Sequence, residues 1–165
     1  LFLTGLRIGE LCALRWCDLD LEHKKLSVRG SFSTASRKVT SPKTKTSIRT
    51  IDLPNRLVEE LKQRYERKKK LDGFNDLYYV FGDIAVTWPG TFRYRFNNDL
   101  KNVDVKHITI HGFRHSHASY LLSNPMISES LVAERLGHSI DMLRSTYAHI
   151  YEKRRTALVE YIEKL

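Results

Sequence analysis

SESLVAERLGHSIDMLRSTYAHIY, residues 128–151, carries two helical apolar patterns separated by Gly137 and His138. Gly137 is a natural helix C-cap and Ser139 a natural N-cap, so one helix should end and another begin at this point. The break decides whether His138 and Tyr147 can meet. Nine residues along one straight helix turn through about 900°, which puts the two side chains on opposite faces. With the helix broken, Tyr147 can be presented from the second helix toward the first. Taken alone, Tyr147 reads more readily as a buried structural residue. Two helices around a Gly turn also fit a helix-turn-helix DNA-binding module.

Upstream, HGFRHSH at 111–117 sits in another helical pattern. There His111, Arg114 and His115 fall at i, i+3 and i+4, on one helix face. Two imidazoles and a guanidinium on one face suit an anion with several acceptor oxygens. Arg offers a planar fork to a phosphate, and His exchanges a proton near neutral pH. A metal site through His111 and His115 fits less well, since Arg114 opposes a cation and no carboxylate or Cys completes the shell. For His115 and His117, a satisfied core role is the simpler reading than a catalytic one. Near the start of the chain, Arg7 and Glu10 lie one helical turn apart, a spacing common in surface ion pairs.

The 165 residues fit one domain with one core. The chain holds 28 Lys and Arg against 19 Asp and Glu, a net charge of +9. A small domain this basic usually meets a polyanion, most often nucleic acid; a basic surface with no such partner is the alternative. Cys12 and Cys17 suit neither a CxxC metal site nor a disulfide framework, and their apolar surroundings predict buried thiols in a reducing cytoplasm. No apolar run approaches the roughly 20 residues that span a bilayer. The opening LFLTGLRIGE lacks the basic start and cleavage site of a signal peptide. It starts without Met in what reads as a helix end, so the chain is expected to be a fragment of a longer protein.

Between these clusters, Ile8 to Trp16 has mostly helical spacing, with Gly5 in a turn before it. Residues 25–53 alternate in LSVRGSF and IRTIDLP around the polar STASRKVTSPKTKTS, which predicts a small antiparallel sheet with an exposed basic hairpin. Pro54 ends the last strand, and Asn55 is a candidate N-cap for a helix to about Leu71. That helix ends in RYERKKK, which reads as a solvated charge run, with DNA contact the alternative. Residues 73–90 read as loop with a short extended piece at LYYVF, and TFRYRFNNDLKN as a further helix. The fold class expected is α+β, mainly α-helical, with a small antiparallel three-stranded sheet in the N-terminal half. A C-terminal stripe of Leu158, Val159 and Ile162 could pack on this chain's own core or on a neighbour.

Together these boxes resemble a family. TGLRIGELCALRWCD at 4–18, PKTKTSIRTI at 42–51, HGFRHS at 111–116, LGHS at 136–139 and TY at 146–147 are similar, in order, to the motifs of the C-terminal catalytic domain of tyrosine recombinases, especially integrases of phages and conjugative elements. The resemblance covers nearly the whole chain. It implies the integrase-type DNA breaking–rejoining fold over residues 1–165, with the N-terminal core-binding and arm-binding domains absent. It also implies a site-specific recombinase acting through a 3′-phosphotyrosine, with Tyr147 as nucleophile and Arg7 and Arg114 on the non-bridging oxygens. Lys43 would protonate the leaving oxygen, His111 and His138 would bond the phosphate, and Glu10 would orient its neighbours. Arg37, Lys38, Lys45 and His115 would contact DNA. The lysine register stays open, because Lys45 projects to the same strand face as Lys43.

No cofactor and no metal are implied. The partners implied are double-stranded DNA at recombination sites, a homotetramer on synapsed DNA, and an excisionase or host DNA-bending protein, with no membrane. The place is the bacterial cytoplasm. A type IB topoisomerase-like relaxing enzyme and the helix-turn-helix module are the competing readings. The module leaves Arg7, the lysine hairpin and the HGFRH box without a role.

Overall fold

The structure is a computed structural model that describes residues 1–41 and 45–164, Lys45 by its backbone alone. Lys43 therefore lies outside the described residues, as does the Lys45 side chain. Among the described residues the elements run α1 (Ile8–Ala13), β1 (Leu19–Asp20), β2 (Lys25–Val28), β3 (Ser31–Ser33), β4 (Lys38–Thr40), β5 (Arg49–Asp52), α2 (Asn55–Lys69), α3 (Pro89–Leu100), α4 (Ile110–Ser123), α5 (Glu129–Leu136), α6 (Ile140–Thr146) and α7 (Ala148–Ile162). This is the mainly α-helical α+β class with an antiparallel three-stranded sheet, in the order β1-β2-β5.

LSVRGSF does not form one strand. It breaks at Arg29–Gly30, so β2 stays in the main sheet while β3 pairs with β4 as a separate two-stranded hairpin. The first helix stops at Ala13, and a single 3₁₀ turn at Trp16–Asp18 follows. That turn leaves Cys17 exposed while Cys12 is buried, which corrects the expectation of two buried thiols. The N-cap of α2 is Pro54, with Asn55 already the first helical residue. In the charge run, Lys68 pairs with Asp83 and Arg64 donates to the Val80 carbonyl at 2.8 Å.

Two apolar clusters organise the chain. In the first, Leu26 and Val28 of β2 and Ile51 of β5 meet Leu11 of α1 and Val58 and Leu61 of α2, with Trp16 and Val80 closing one side. In the second, α4, α5 and α6 bring together Ala118, Leu122, Val132, Leu136, Leu143 and Tyr147. Each cluster follows from the helical or alternating spacing of its own residues. Polar residues that lie between them form the site.

α7 differs from the other long helices in having no buried residue. Leu158, Val159 and Ile162 are 58%, 54% and 56% exposed, so the C-terminal stripe does not pack on this chain's own core. Among the described residues, α7 is tied down in its first turns alone, by Ile150 and Tyr151 against the second cluster and by Arg154 donating to the Leu122 carbonyl.

Candidate active site

The C-terminal end of α5 is the centre of the site. Gly137 takes φ +65°, and the chain closes on itself there, with His138 N donating to Ala133 O and Gly137 N to Glu134 O, both at 3.0 Å. That bonding satisfies two of the carbonyls a helix leaves open at its end. Guanidinium groups take the next three. Arg49 Nε donates to Arg135 O at 2.7 Å, and an Arg114 terminal nitrogen donates to Leu136 O at 2.7 Å. Arg7 reaches Leu136 O and Gly137 O, each at 3.5 Å. The negative end of the helix dipole offsets part of the repulsion among three cations, an interaction of about 0.3–1 kcal/mol per cation.

Gly137 is needed for this approach in two ways. A residue with a Cβ is strained at that φ, and its Cβ would stand 3.0 Å from both an Arg49 nitrogen and the Thr46 carbonyl. Ser139 then starts α6 as expected, its hydroxyl accepting from Met142 N at 3.2 Å.

Arg114 is buried and fully turned inward. Besides Leu136 O, it donates to Gly5 O and to His138 Nε2, the latter at 2.8 Å. Arg always donates, so His138 Nε2 accepts and its proton sits on Nδ1. That Nδ1 is buried with no partner among the described residues. Burial, and then the charges of Arg114 and Arg7, hold the His138 pKa down at about 4, so the ring is neutral at pH 7. Burial and its cationic neighbours also bring Arg114 down to about 10, which leaves it charged at neutral pH.

Glu10 sits between two arginines. Its carboxylate accepts from both terminal nitrogens of Arg49, at 3.1 and 2.9 Å, and from an Arg7 terminal nitrogen at 2.9 Å. It also accepts from the Arg7 backbone N–H at 2.9 Å, which anchors the first turn of α1. Burial pushes the Glu10 pKa up, but the Arg49 fork and Arg7 outweigh it and hold the group below its ordinary value. The Arg7 side chain is 35% exposed, and it is the open edge of this cluster.

Tyr147 lies at a second helix break that its sequence did not reveal. It is the residue between α6 and α7, with φ −114° and ψ 29°. The tyrosine is 2% exposed and packs in the second cluster, 5.3 Å between ring centroids from His115. Burial raises its hydroxyl pKa, and the charge of Arg114 pulls it partly back. His115 is exposed rather than a core residue, because it turns outward from α4 to cover Tyr147. His111 is 5.2 Å from His115 and also exposed. Burial first, then the cations around it, lower the His111 pKa.

Arg7, Glu10, His111, Arg114, His115, His138 and Tyr147 thus come together from α1, α4, the α5–α6 turn and the α6–α7 break. Arg37 and Lys38 lie apart, on the exposed β3–β4 hairpin. Arg37 stacks over Trp88 at 5.6 Å with its backbone at φ +55°. Among the described residues, no three His, Cys, Asp or Glu side chains gather as metal ligands. No helix of the described residues is long and apolar enough to cross a membrane.

Two participants, Arg49 and His117, were given no site role by the sequence motifs. Arg49 does have a signal, because it shares the inward phase of Ile51 and Leu53 in IRTIDLP, where a charged residue demands a buried partner. His117 is the satisfied core histidine expected, with Nε2 accepting from Arg135 Nε at 3.1 Å. Burial and Arg135 hold its pKa at about 4.

His117 and His138 make stability depend on pH. Each binds a proton near pH 6.5 when unfolded but only near pH 4 when folded, so acid favours the unfolded chain. Their contribution is complete above pH 6.5 and is lost as pH falls toward 4, by up to roughly 1.4 kcal/mol per pH unit for each. Urea midpoints should therefore fall between pH 7.5 and pH 5. His117→Gln, which keeps an acceptor for Arg135, should flatten the slope, and an unchanged slope would contradict the assignment.

Known proteins place this architecture. The phage integrase family model matches residues 1–154. An ICEBs1 integrase of Bacillus subtilis (strain 168) is 31% identical over 99% of this chain and 47% of its own length. A XerC-like tyrosine recombinase of Caldanaerobacter subterraneus subsp. tengcongensis is 32% identical, again over 99% and 47%. Among solved structures, the Tn1549 transposon integrase in complex with circular intermediate DNA superposes with a TM-score of 0.70 at 25% identity, over 98% of this chain and 57% of that one. The chain belongs to the phage integrase family, and its fold is that of tyrosine recombinase catalytic domains. It spans about half the length of the curated relatives it matches.

Proposed function

We propose that residues 1–165 are the catalytic domain of a site-specific DNA recombinase that integrates or excises a mobile element, acting on DNA in the bacterial cytoplasm. The observation that carries this reading is the meeting of Tyr147 with Arg114, Arg7, His138 and His111 from four separate parts of the chain. The Tyr147 oxygen attacks a backbone phosphorus in line. The P–O bond to the 5′-oxygen breaks, a 3′-phosphotyrosine forms, and the 5′-hydroxyl leaves with a proton from Lys43. Arg7 and Arg114 neutralise the non-bridging oxygens as charge develops, and His111 and His138 add hydrogen bonds to them. A 5′-hydroxyl from another strand reverses the step. The phosphotyrosine conserves the energy of the broken diester, so no nucleotide is needed.

The helix-turn-helix reading loses ground because the turn after α5 is packed under three guanidiniums and is not free to lie in a groove. With Tyr147 buried, the reaction requires α7 to shift about the break at residue 147, and a helix with no buried residue of its own resists that least. Its exposed Leu158, Val159, Tyr161 and Ile162 then serve contacts between protomers of a tetramer on synapsed DNA. A truncation after Glu152 that left the DNA-bound assembly unchanged would remove that contact from the account.

The test is covalent trapping. The protein carrying this chain is mixed with a nicked duplex bearing the junction sequence of its element, in a chelator and without nucleotide. An adduct that survives denaturing electrophoresis is expected. Its absence, when the rest of the protein is present and the duplex is bound, would overturn the reading.

A further inference from the structure

Arg49 is a buried cation of the site, with a side chain only 3% exposed. It stands on β5, behind Arg7 and Glu10 as seen from the open edge. We propose that Arg49 is a positioning residue for DNA cleavage: by occupying Glu10 with its own fork, it leaves the charge of Arg7 for the scissile phosphate. The proposal rests on the reading of Arg7 as a phosphate-binding residue.

Glu10 is shared, and the charge balance follows from that. Arg7, Arg49 and Glu10 together carry two positive charges and one negative, a net of +1. The Arg49 fork engages both carboxylate oxygens, and Arg49 is itself fixed by Arg135 O and by Ser47 O at 3.1 Å. A carboxylate so engaged holds Arg7 in place without wholly cancelling it. If Arg49 were apolar, Glu10 and Arg7 would form a closed neutral pair beside the phosphate, and a buried carboxylate with one partner would hold that partner tightly. The incoming phosphate would then have to compete with Glu10 for the same guanidinium. Glu10 is needed all the same, since it caps α1 through the Arg7 backbone N–H.

Charge logic separates this role from a scaffolding one. Arg49→Met leaves a net of zero, whereas Glu10→Gln with Arg49→Met restores the net of +1 through Arg7 alone. We expect Arg49→Met to slow single-turnover cleavage of the nicked duplex on the order of a hundredfold, as misplacing a reacting group does. The duplex concentration for half-saturation should move by less than about threefold, since a single phosphate contact is a small part of the whole interface. Arg49→Lys, which keeps the charge but not the fork, should lose less.

The double variant should recover on the order of tenfold over Arg49→Met, because the competing carboxylate is gone. A scaffolding role predicts the reverse, a double variant no faster than the single one, and that result in a folded protein overturns the proposal. Should Arg49→Met alone fail to fold, the double variant is judged against wild type. Cleavage within about tenfold of wild type supports the proposal and a larger loss overturns it, tenfold being about 1.4 kcal/mol of barrier. Arg7→Ala separates the two layers. If it cleaves as wild type does, the reading of Arg7 falls and the proposal with it. If Arg7→Ala is impaired while Arg49→Met is not, only the proposal falls.

Discussion

Tyr147→Phe should abolish the covalent protein–DNA adduct while leaving the fold and DNA binding intact. The substitution removes one oxygen. The ring stays among Ala118, Leu122, Val132, Leu136 and Leu143, where the tyrosine is now 2% exposed, so the change in stability should be within about 1 kcal/mol. Half-saturation with the nicked duplex should move by no more than about twofold, because phosphate contacts from the other basic residues dominate binding. Adduct formation should fall to the limit of detection, since no other side chain of the cluster pairs an attacking oxygen with Arg114. Tyr151 is the natural substitute to check. Its hydroxyl lies on the first turn of α7, with burial and Glu129 pushing its pKa up to about 12, away from the arginine cluster. An adduct of undiminished yield in Tyr147→Phe would show that the chain uses a different nucleophile.

The same residue shows where sequence reading reaches and where it stops. The break at Gly137 was legible, because a C-capping Gly followed by an N-capping Ser is a local signal written in backbone preferences. The break at Tyr147 was not. STYAHIY contains no Gly or Pro, and the helix ends there because Tyr147 turns into the α4–α5–α6 core, a tertiary effect that has no local mark. The alternation in IRTIDLP was legible as a strand, but Arg49 drew no notice there, although it shares the phase of Ile51 and Leu53. What could not be read was the partner, since Glu10 lies 39 positions away and is brought over only when α1 packs on the sheet. LSVRGSF alternates without interruption, so nothing in its pattern announces that Gly30 splits it between two sheets. The family motifs found Arg7, Arg114, His138 and Tyr147 as separate marks. The carbonyls of Arg135, Leu136 and Gly137 hold three arginines together, and no motif could name them, because backbone groups carry no residue identity.

Those carbonyls explain why Arg114 should be the least replaceable of the arginines. Its bonds to Gly5 O, Leu136 O and His138 Nε2 engage three of the five N–H donors that a guanidinium offers. Arg114→Met strips the guanidinium from the buried Gly5 carbonyl, at about 1–3 kcal/mol, leaves Leu136 O only the longer Arg7 contact at 3.5 Å, and frees His138 to turn. Arg114→Lys keeps a charge but brings a single ammonium to a place where Gly5, Leu136 and His138 are met by two diverging nitrogens, so it cannot serve all three.

Both variants should lower the urea midpoint, Met more than Lys. In those that fold, cleavage should fall on the order of 10²–10³-fold, the loss typical of removing one preorganised donor from a developing oxyanion. The His138 ring supplies an independent readout. Its pKa near 4 owes its depression to burial first and to Arg114 second, so removing the guanidinium should raise it, and a proton titration of the ring by NMR would record the shift. Cleavage lost together with a raised His138 pKa places Arg114 in contact with both the phosphate and the histidine. A variant that cleaves normally would show that the inward bonds of Arg114 hold the fold together and do nothing for the reaction, and a His138 titration that does not move would remove the guanidinium as a cause of that ring's low pKa.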